Sequence, residues 1–390
     1  MIGLITLYDK NFGSILQAYS TFSFVISLGK RCEILYNRNS QKLYAKIWRR
    51  ILLILKIIRY PLFRKFFSLQ EKVSTIDNRN PTTETKKKMK AFILNELTIN
   101  ETSNFLINNQ LWQKKYDYFI TGSDQIWKTI FSVDSFRFLQ FAPRNKRISL
   151  AASFGISEIP KYNQKPLCKA LNGFDYISVR EETGVEIVKK YSNTKVCRIA
   201  DPTFIYNANE WRDFAKKAVV PSLKKYILVH FLNEPNEVAL ESMAWLSEQM
   251  NLEIIALGYK YDVFDRLKKF TFMDGGPWEY VSMIDHAEFV LTDSFHSSLF
   301  SINFNRRFFV FHRNYSVSKQ TSRIHDLLKR FKMENRLISN VIDLKNNYLD
   351  NQPAEVREVL EKERTTIRDY IKKSIAGQVP QCFLDEYGKK

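Results

Sequence analysis

The sequence predicts an α/β protein built as two Rossmann-like domains that face each other across a cleft. Three observations carry this expectation. Short apolar runs alternate with helical stretches along most of the chain, the pattern of mainly parallel sheets. Polar clusters sit where the expected strands end, the place where open α/β sheets hold ligands. The chain has 390 residues, enough for two domains of ordinary size.

The first half opens with a strand over 2–7, a helix over 14–28 and a strand over 32–36. A basic helix is expected over 43–58, then a polar, lysine-rich stretch over 74–90. Strands over 118–121, 148–152 and 176–179 follow. They run into Gly122-Ser123-Asp124, Ser153-Phe154-Gly155 and Arg180-Glu181. A second series starts after Asp201-Pro202, with strands over 226–231, 253–257, 288–291 and 307–311. Helices over 237–250, 277–286 and 297–304 separate them, and helices over 322–331 and 354–373 close the chain. The boundary is expected within 195–202, giving domains 1–198 and 199–390, the last helix free to pack back on the first. No internal repeat or low-complexity tract interrupts the pattern.

Composition narrows the class. Hydrophobic content is 45%, so the chain can build real cores and is not a disordered protein. A formal charge of +19 favours anionic partners: phosphorylated metabolites, lipid head groups or nucleic acid. The four cysteines, Cys32, Cys168, Cys197 and Cys382, lie far apart with no CxxC pair. That spacing argues against a structural zinc site and against a disulfide framework. The first residues lack a basic leader region and a cleavage signal, so a cytoplasmic location is expected. The best membrane candidate, 51–58, is interrupted by Lys56 and far shorter than the ~20 apolar residues of a spanning helix. Over 43–58, Tyr44, Ile47, Trp48 and Ile51 share a broad apolar face, with Lys46, Arg49, Arg50 and Lys56 opposite. This is either an interfacial helix on an anionic leaflet or a helix packed on its own domain, the commoner case.

The most informative stretch is 288–304. An apolar strand ends in Thr292-Asp293-Ser294, and His296 follows at the start of a helix. Helix starts offer unpaired N–H groups to anions, and a titratable imidazole there binds an anion or moves a proton. Asn11-Phe12-Gly13-Ser14, with Gln17 one turn on, follows the first strand; it reads equally as a capped turn or as ligand contacts. Asp124 is either an N-cap or a carboxylate for substrate hydroxyls. Arg180 at a strand end fits a carboxylate or phosphate with its forked donors, or pairs with Glu181 and Glu182. Asp293 reads as a cap or an intra-loop hydrogen-bond partner, Arg323 as a surface residue or a second cation, and His230 as a weaker site candidate. GxGxxG, Walker, HExxH and GxSxG signatures are absent.

Together these clusters resemble the polysaccharide pyruvyl transferase family. The matching pieces, in order, begin with Asn11 to Tyr19, Ile120 to Trp127 and Ala152-Ser153-Phe154-Gly155. Ile177 to Glu181, Asp201-Pro202-Thr203 and Leu291 to Ser297 complete them. The family usually carries a glycine after the histidine of the last piece; here Ser297 stands in its place.

The resemblance implies a GT-B-like fold, phosphoenolpyruvate as donor, a sugar as acceptor and a pyruvate ketal as product, with no metal or organic cofactor. It implies His296 as general acid or phosphate partner. Arg180 holds the donor, joined by Ser294, Ser297, Ser298 and, more weakly, Arg323. Asp124, Ser123, Asn11, Gly13 and Gln17 lie on the acceptor side, Asp124 doubling as a base. A lipid-linked acceptor at the inner face of a membrane suits the net charge. Two other readings stay open: a GT-B glycosyltransferase using a nucleotide sugar, and a non-catalytic nucleic-acid or glycan-binding protein. No nucleic-acid module is visible, so nucleic acid is not an expected partner.

Overall fold

The computed structural model describes residues 1–37, 81–221, 225–313 and 321–387, together with the helical positions 51, 55 and 58. The basic helix expected over 43–58 otherwise lies outside the described residues. Strands β1 (Ile2–Ile5), β2 (Cys32–Asn37), β3 (Ile99–Thr102), β4 (Tyr118–Thr121) and β5 (Arg147–Ser149) form one parallel sheet, in the order β3-β2-β1-β4-β5. Strands β6 (Tyr176–Val179) and β7 (Lys195–Arg198) pair in parallel beside it, tied on by a bridge between Ala152 and Val179. The second sheet contains β8 (Tyr226–His230), β9 (Glu253–Leu257), β10 (Phe270–Met273), β11 (Phe289–Thr292), β12 (Arg307–Phe311) and β13 (Leu337–Ile338). Its order is β10-β9-β8-β11-β12-β13, again all parallel.

This order places the site. In each sheet the chain works outward from a first strand, then returns to its other side. The reversal falls between β1 and β4 in one sheet and between β8 and β11 in the other. Crevices outside the carboxyl ends at such switch points are where α/β sheets hold ligands. Residues 6–13 and 122–124 leave the first switch point, and residues 231–233 and 293–296 leave the second.

Packing joins the two switch points. Helix Phe12–Ser27 starts between them, and its Phe12, Ile15 and Leu16 belong to the core of the second sheet. Helix Thr83–Glu96 adds Met89 and Phe92 to the same core. It ends the polar stretch expected up to residue 90: its lysines face outward while Thr85, Met89 and Phe92 are buried. In return, helix Val356–Ile375 sends Ile367, Tyr370 and Ile371 into the core against β1, β2 and β4. The Tyr370 hydroxyl donates to the Ser149 carbonyl at 2.7 Å.

Several elements add to the sequence expectation. β3, β7, β10 and β13 are short and partly exposed, so their apolar signal is weak. One expectation is corrected: Cys197 on β7 and Cys382 on helix Gln381–Tyr387 form a disulfide, across 185 residues of sequence and a Cα separation of 6.1 Å. Spacing alone does not reveal a partner so distant. No helix among the described residues is long and apolar enough to cross a membrane.

His230 ends β8 within an aromatic box, with Phe12, Tyr259 and Tyr280 centroids 5.5, 5.4 and 5.0 Å away. Burial pushes its imidazole down to about 4. The unfolded chain therefore binds an extra proton between the ordinary value and about 4. Stability is complete above the ordinary value and falls as pH drops through that window, by roughly 3 kcal/mol. Replacing His230 by Phe keeps the aromatic packing and should remove this part of the acid sensitivity. Comparing denaturant unfolding of both proteins at pH 7.5 and 4.5 measures it.

Candidate active site

Ser294 caps helix Phe295–Asn303, which places His296 in the first turn, at the mouth of the second switch point. The imidazole is buried and lies directly over Gly13 of the other lobe. A Cβ at Gly13 would stand 2.2 Å from the ring's Cγ and Nδ1. Only a residue without a side chain allows the two helix starts to approach so closely. Nε2 of His296 lies 3.6 Å from Asp201 Oδ2, ion-pair distance but beyond a hydrogen bond, and has no hydrogen-bond partner.

Asp201 is the centre of the cluster. It caps the short helix Pro202–Ile205 by accepting from the Thr203 amide at 3.0 Å. Its other oxygen accepts from Arg180 Nη1 at 2.7 Å and from the Ser123 hydroxyl at 3.3 Å. Burial raises its carboxyl, but the imidazole of His296 and the Arg180 charge together hold it well below the carboxylate range. The sequence reading quoted Asp201 without giving it a role, because an Asp before Pro reads locally as a turn.

Arg180 leaves β6 into a cage of carboxylates. Asp201 sits on Nη1, Asp124 lies 3.5 Å from Nη2, and Glu181 lies 3.5 Å from Nε. Burial lowers its pKa, and Asp201, Glu181 and Asp124 raise it well above the ordinary value. Its guanidinium carbon stands 4.6 Å from the centroid of Phe295, and that of Arg323 lies 5.8 Å from the same ring. Arg323 has a much lighter pairing, 3.7 Å to Asp124. Burial and the neighbouring Arg180 push it down to about 10. Several buried polar atoms here lack hydrogen-bond partners: Arg180 Nε, Arg323 Nε, Glu181 Oε2, Asp326 Oδ2 and His296 Nε2. Arg180, Arg323, Phe295 and Asp326 line a cavity of about 30 Å³, room for a water or two.

The turn after β4 is shaped by backbone. Gly122 has φ +132°, and a Cβ there would meet the Leu150 carbonyl at 1.9 Å. Asp124 follows at φ +54°, in the left-handed region, at a cost of about 1 kcal/mol for a residue with a side chain. No helix follows it, so its side chain is not a cap. Its carboxyl is raised by burial but lowered on balance by Arg180, His296 and Arg323.

The residues expected from sequence divide into two groups. His296, Asp124, Arg180 and Arg323 come together at the junction. Ser123, Gly13 and Gln17 reach the same place in supporting positions. Gln17 is fully buried; its amide donates to Thr6, Leu7 and Ser14 and accepts from the Ser123 amide. Asn11 and Ser14 form a reciprocal cap at the helix start. The serines turn inward: Ser297 pairs with the Tyr280 hydroxyl at 2.8 Å, and Ser298 donates to the Ser294 carbonyl at 3.1 Å. Asp293 pins the loop after β8, accepting from the Leu232 and Asn233 amides and pairing with Arg313. Among the described residues, no group of three His, Cys, Asp or Glu side chains is arranged to hold a metal ion.

The two arginines should behave differently. Arg180→Met strands three buried carboxylates and should lower stability by about 3–5 kcal/mol. Arg323→Met removes a buried cation with little pairing and should leave stability within about 1 kcal/mol of the parent. Urea unfolding of the two variants measures the contrast.

Comparison with known proteins follows from this geometry. The family model for polysaccharide pyruvyl transferase matches residues 11–315. No curated protein matches the chain. Among solved structures, it resembles UDP-N-acetylglucosamine 2-epimerase from Rickettsia bellii at 11% identity and TM-score 0.50, over 96% of each chain. It also resembles S. aureus MnaA, solved with UDP, at 11% identity and TM-score 0.51, over 96% of this chain and 97% of that one. At such identities the likeness establishes a GT-B fold and nothing about the reaction. The family match spans well over half of the sequence, and on it this chain belongs to the polysaccharide pyruvyl transferase family.

Proposed function

We propose that this protein transfers a pyruvyl group from phosphoenolpyruvate to two hydroxyls of one sugar, forming a cyclic ketal and releasing phosphate. The observation that carries the reading is the convergence of Arg180, Arg323 and His296 on one junction between the lobes, with Arg323 Nε and His296 Nε2 buried and without a hydrogen-bond partner. Leaving such atoms unsatisfied costs stability, and an anion with a protonatable carbon would use Arg323 and His296.

The chemistry follows in balanced steps. His296, held by Asp201, gives a proton to the methylene carbon of the enol, leaving the central carbon cationic. A sugar hydroxyl adds to that carbon, and Asp124 takes its proton. The bond to the phosphate oxygen then breaks. The second hydroxyl adds and closes the ring. Of the two hydroxyl protons, one restores His296 and the other leaves with phosphate. Proton transfer and orientation of this kind are ordinary sources of catalysis.

Arg323 is the main partner for the donor's negative charge. Arg180 is a positioning residue whose charge aligns Asp201, Asp124 and Glu181. Gln17 and Ser123 act one step further out, holding the turn that carries Asp124. The amides of the first turn after Ser294 face the same anion. A cavity of about 30 Å³ is too small for the donor, so binding requires the lobes to part. The charge of +19 supports an acceptor presented at an anionic surface, as a lipid-linked sugar is.

His296→Ala should abolish phosphate release from phosphoenolpyruvate in the presence of acceptor while the protein still unfolds in a single cooperative transition. Gly13→Ala suits the helix but pushes the imidazole aside, and should cost about 100-fold in turnover. Incubation with phosphoenolpyruvate and a panel of lipid-linked and nucleotide-linked sugars, read by mass, tests the reading. A gain of one pyruvyl ketal supports it; nucleotide release without phosphoenolpyruvate consumption replaces it with glycosyl transfer.

A further inference from the structure

A second cavity, of about 630 Å³, opens at the carboxyl ends of β1, β2 and β4, within the range of small-molecule sites. One wall is the segment 5–10 after β1, which runs directly into Asn11 and Gly13 beneath His296. Another includes Ile126, two residues beyond Asp124. The cavity therefore adjoins, along the chain, the Asn11–Gly13 turn beneath His296 and the turn that carries Asp124.

Its lining differs from the arginine cluster. Tyr8 and Tyr36 meet edge to face, centroids 6.4 Å apart, and both are half-buried. Burial, then Asp9, pushes the Tyr8 phenol up to about 12, so it stays a hydrogen-bond donor at neutral pH. Two carboxylates of the lining each have a cation beside them, Asp9 with Lys10 at 4.0 Å and Asp134 with Arg137 at 3.6 Å, and Lys128 adds a third cation. An aromatic surface suits the C–H face of a sugar ring. Donors and acceptors side by side suit its hydroxyls.

We propose that this cavity is the acceptor subsite and takes a glycosyl unit, with Tyr36 as platform and Asp9 as hydroxyl acceptor. The proposal rests on the pyruvyl-transfer reading for its purpose but not for its measurement. It relocates acceptor recognition from Gln17 and Ser123, whose polar groups are engaged within the protein, to a surface that is open. The volume holds more than one sugar ring, so a disaccharide should bind better than its terminal monosaccharide.

The test uses the full chain without donor. Methyl glycosides of glucose, galactose, mannose and N-acetylglucosamine, and disaccharides ending in each, are titrated by calorimetry or saturation-transfer NMR. The expected result is saturable binding of at least one disaccharide, weakened about tenfold or more by Tyr36→Ala and by Asp9→Ala and unchanged in His296→Ala. Phosphoenolpyruvate binding should be the same in wild type and Tyr36→Ala. Binding of no panel member, or equal affinity in wild type and both cavity variants, overturns the proposal. Glycan binding that behaves as expected while phosphoenolpyruvate neither binds nor turns over would leave the subsite standing and remove the donor assignment.

Discussion

Everything at the junction hangs on one buried guanidinium. Arg180 is drawn out of water into contact with Asp201, Asp124 and Glu181. Bringing such ions into a low-dielectric interior is expensive unless each is matched. Here the match spans the molecule: Arg180 and Glu181 leave β6 beside the first sheet, Asp124 comes from the loop after β4, and Asp201 heads the connection to the second sheet. His296 arrives from the second sheet and faces the same Asp201 oxygen. Loss of any one charge leaves the others unbalanced, so the cluster specifies how the lobes meet as well as what they hold between them.

That constraint explains several local oddities. Asp124 keeps a left-handed backbone because its carboxylate must turn inward toward two arginines. Gly122 lies against the Leu150 carbonyl with no room for a side chain, which sets the turn before it. Gly13 lacks a side chain where the imidazole crosses from the other lobe. Ser297, where the family usually has glycine, fits because its hydroxyl points into the core toward Tyr280. The catalytic reading and the packing reading therefore concern the same atoms. Arg180, read in the sequence as a donor cation, pairs with three carboxylates, while Arg323, read as a surface residue or a second cation, is the more lightly paired of the two.

Much of the fold was legible in the chain itself. Strong apolar runs such as β1, β4, β8 and β11 alternate with helices and announce parallel sheets. The polar clusters after them mark the switch points, which is why His296, Asp124 and Arg180 stood out. What was not legible depends on distance in sequence. Edge strands such as β3 and β13 have too little apolar signal to separate from loops. The Cys197–Cys382 pair joins residues whose separation carries no pairing information. Asp201 reads as a turn residue until the second lobe brings His296 to it. Gln17 and Ser123 read as ligand contacts because their saturation within the protein involves partners from three separate segments.

The central claim is that His296 protonates the methylene carbon of an enol donor at this junction. Running the reaction in D₂O with phosphoenolpyruvate and an accepted sugar tests it most directly, with the product methyl group read by NMR. The account predicts a ketal methyl carrying one solvent deuteron, formed with one equivalent of phosphate and absent with His296→Ala. A product that retains the methylene as an enol ether, or a deuterated methyl formed at the wild-type rate without His296, would contradict it.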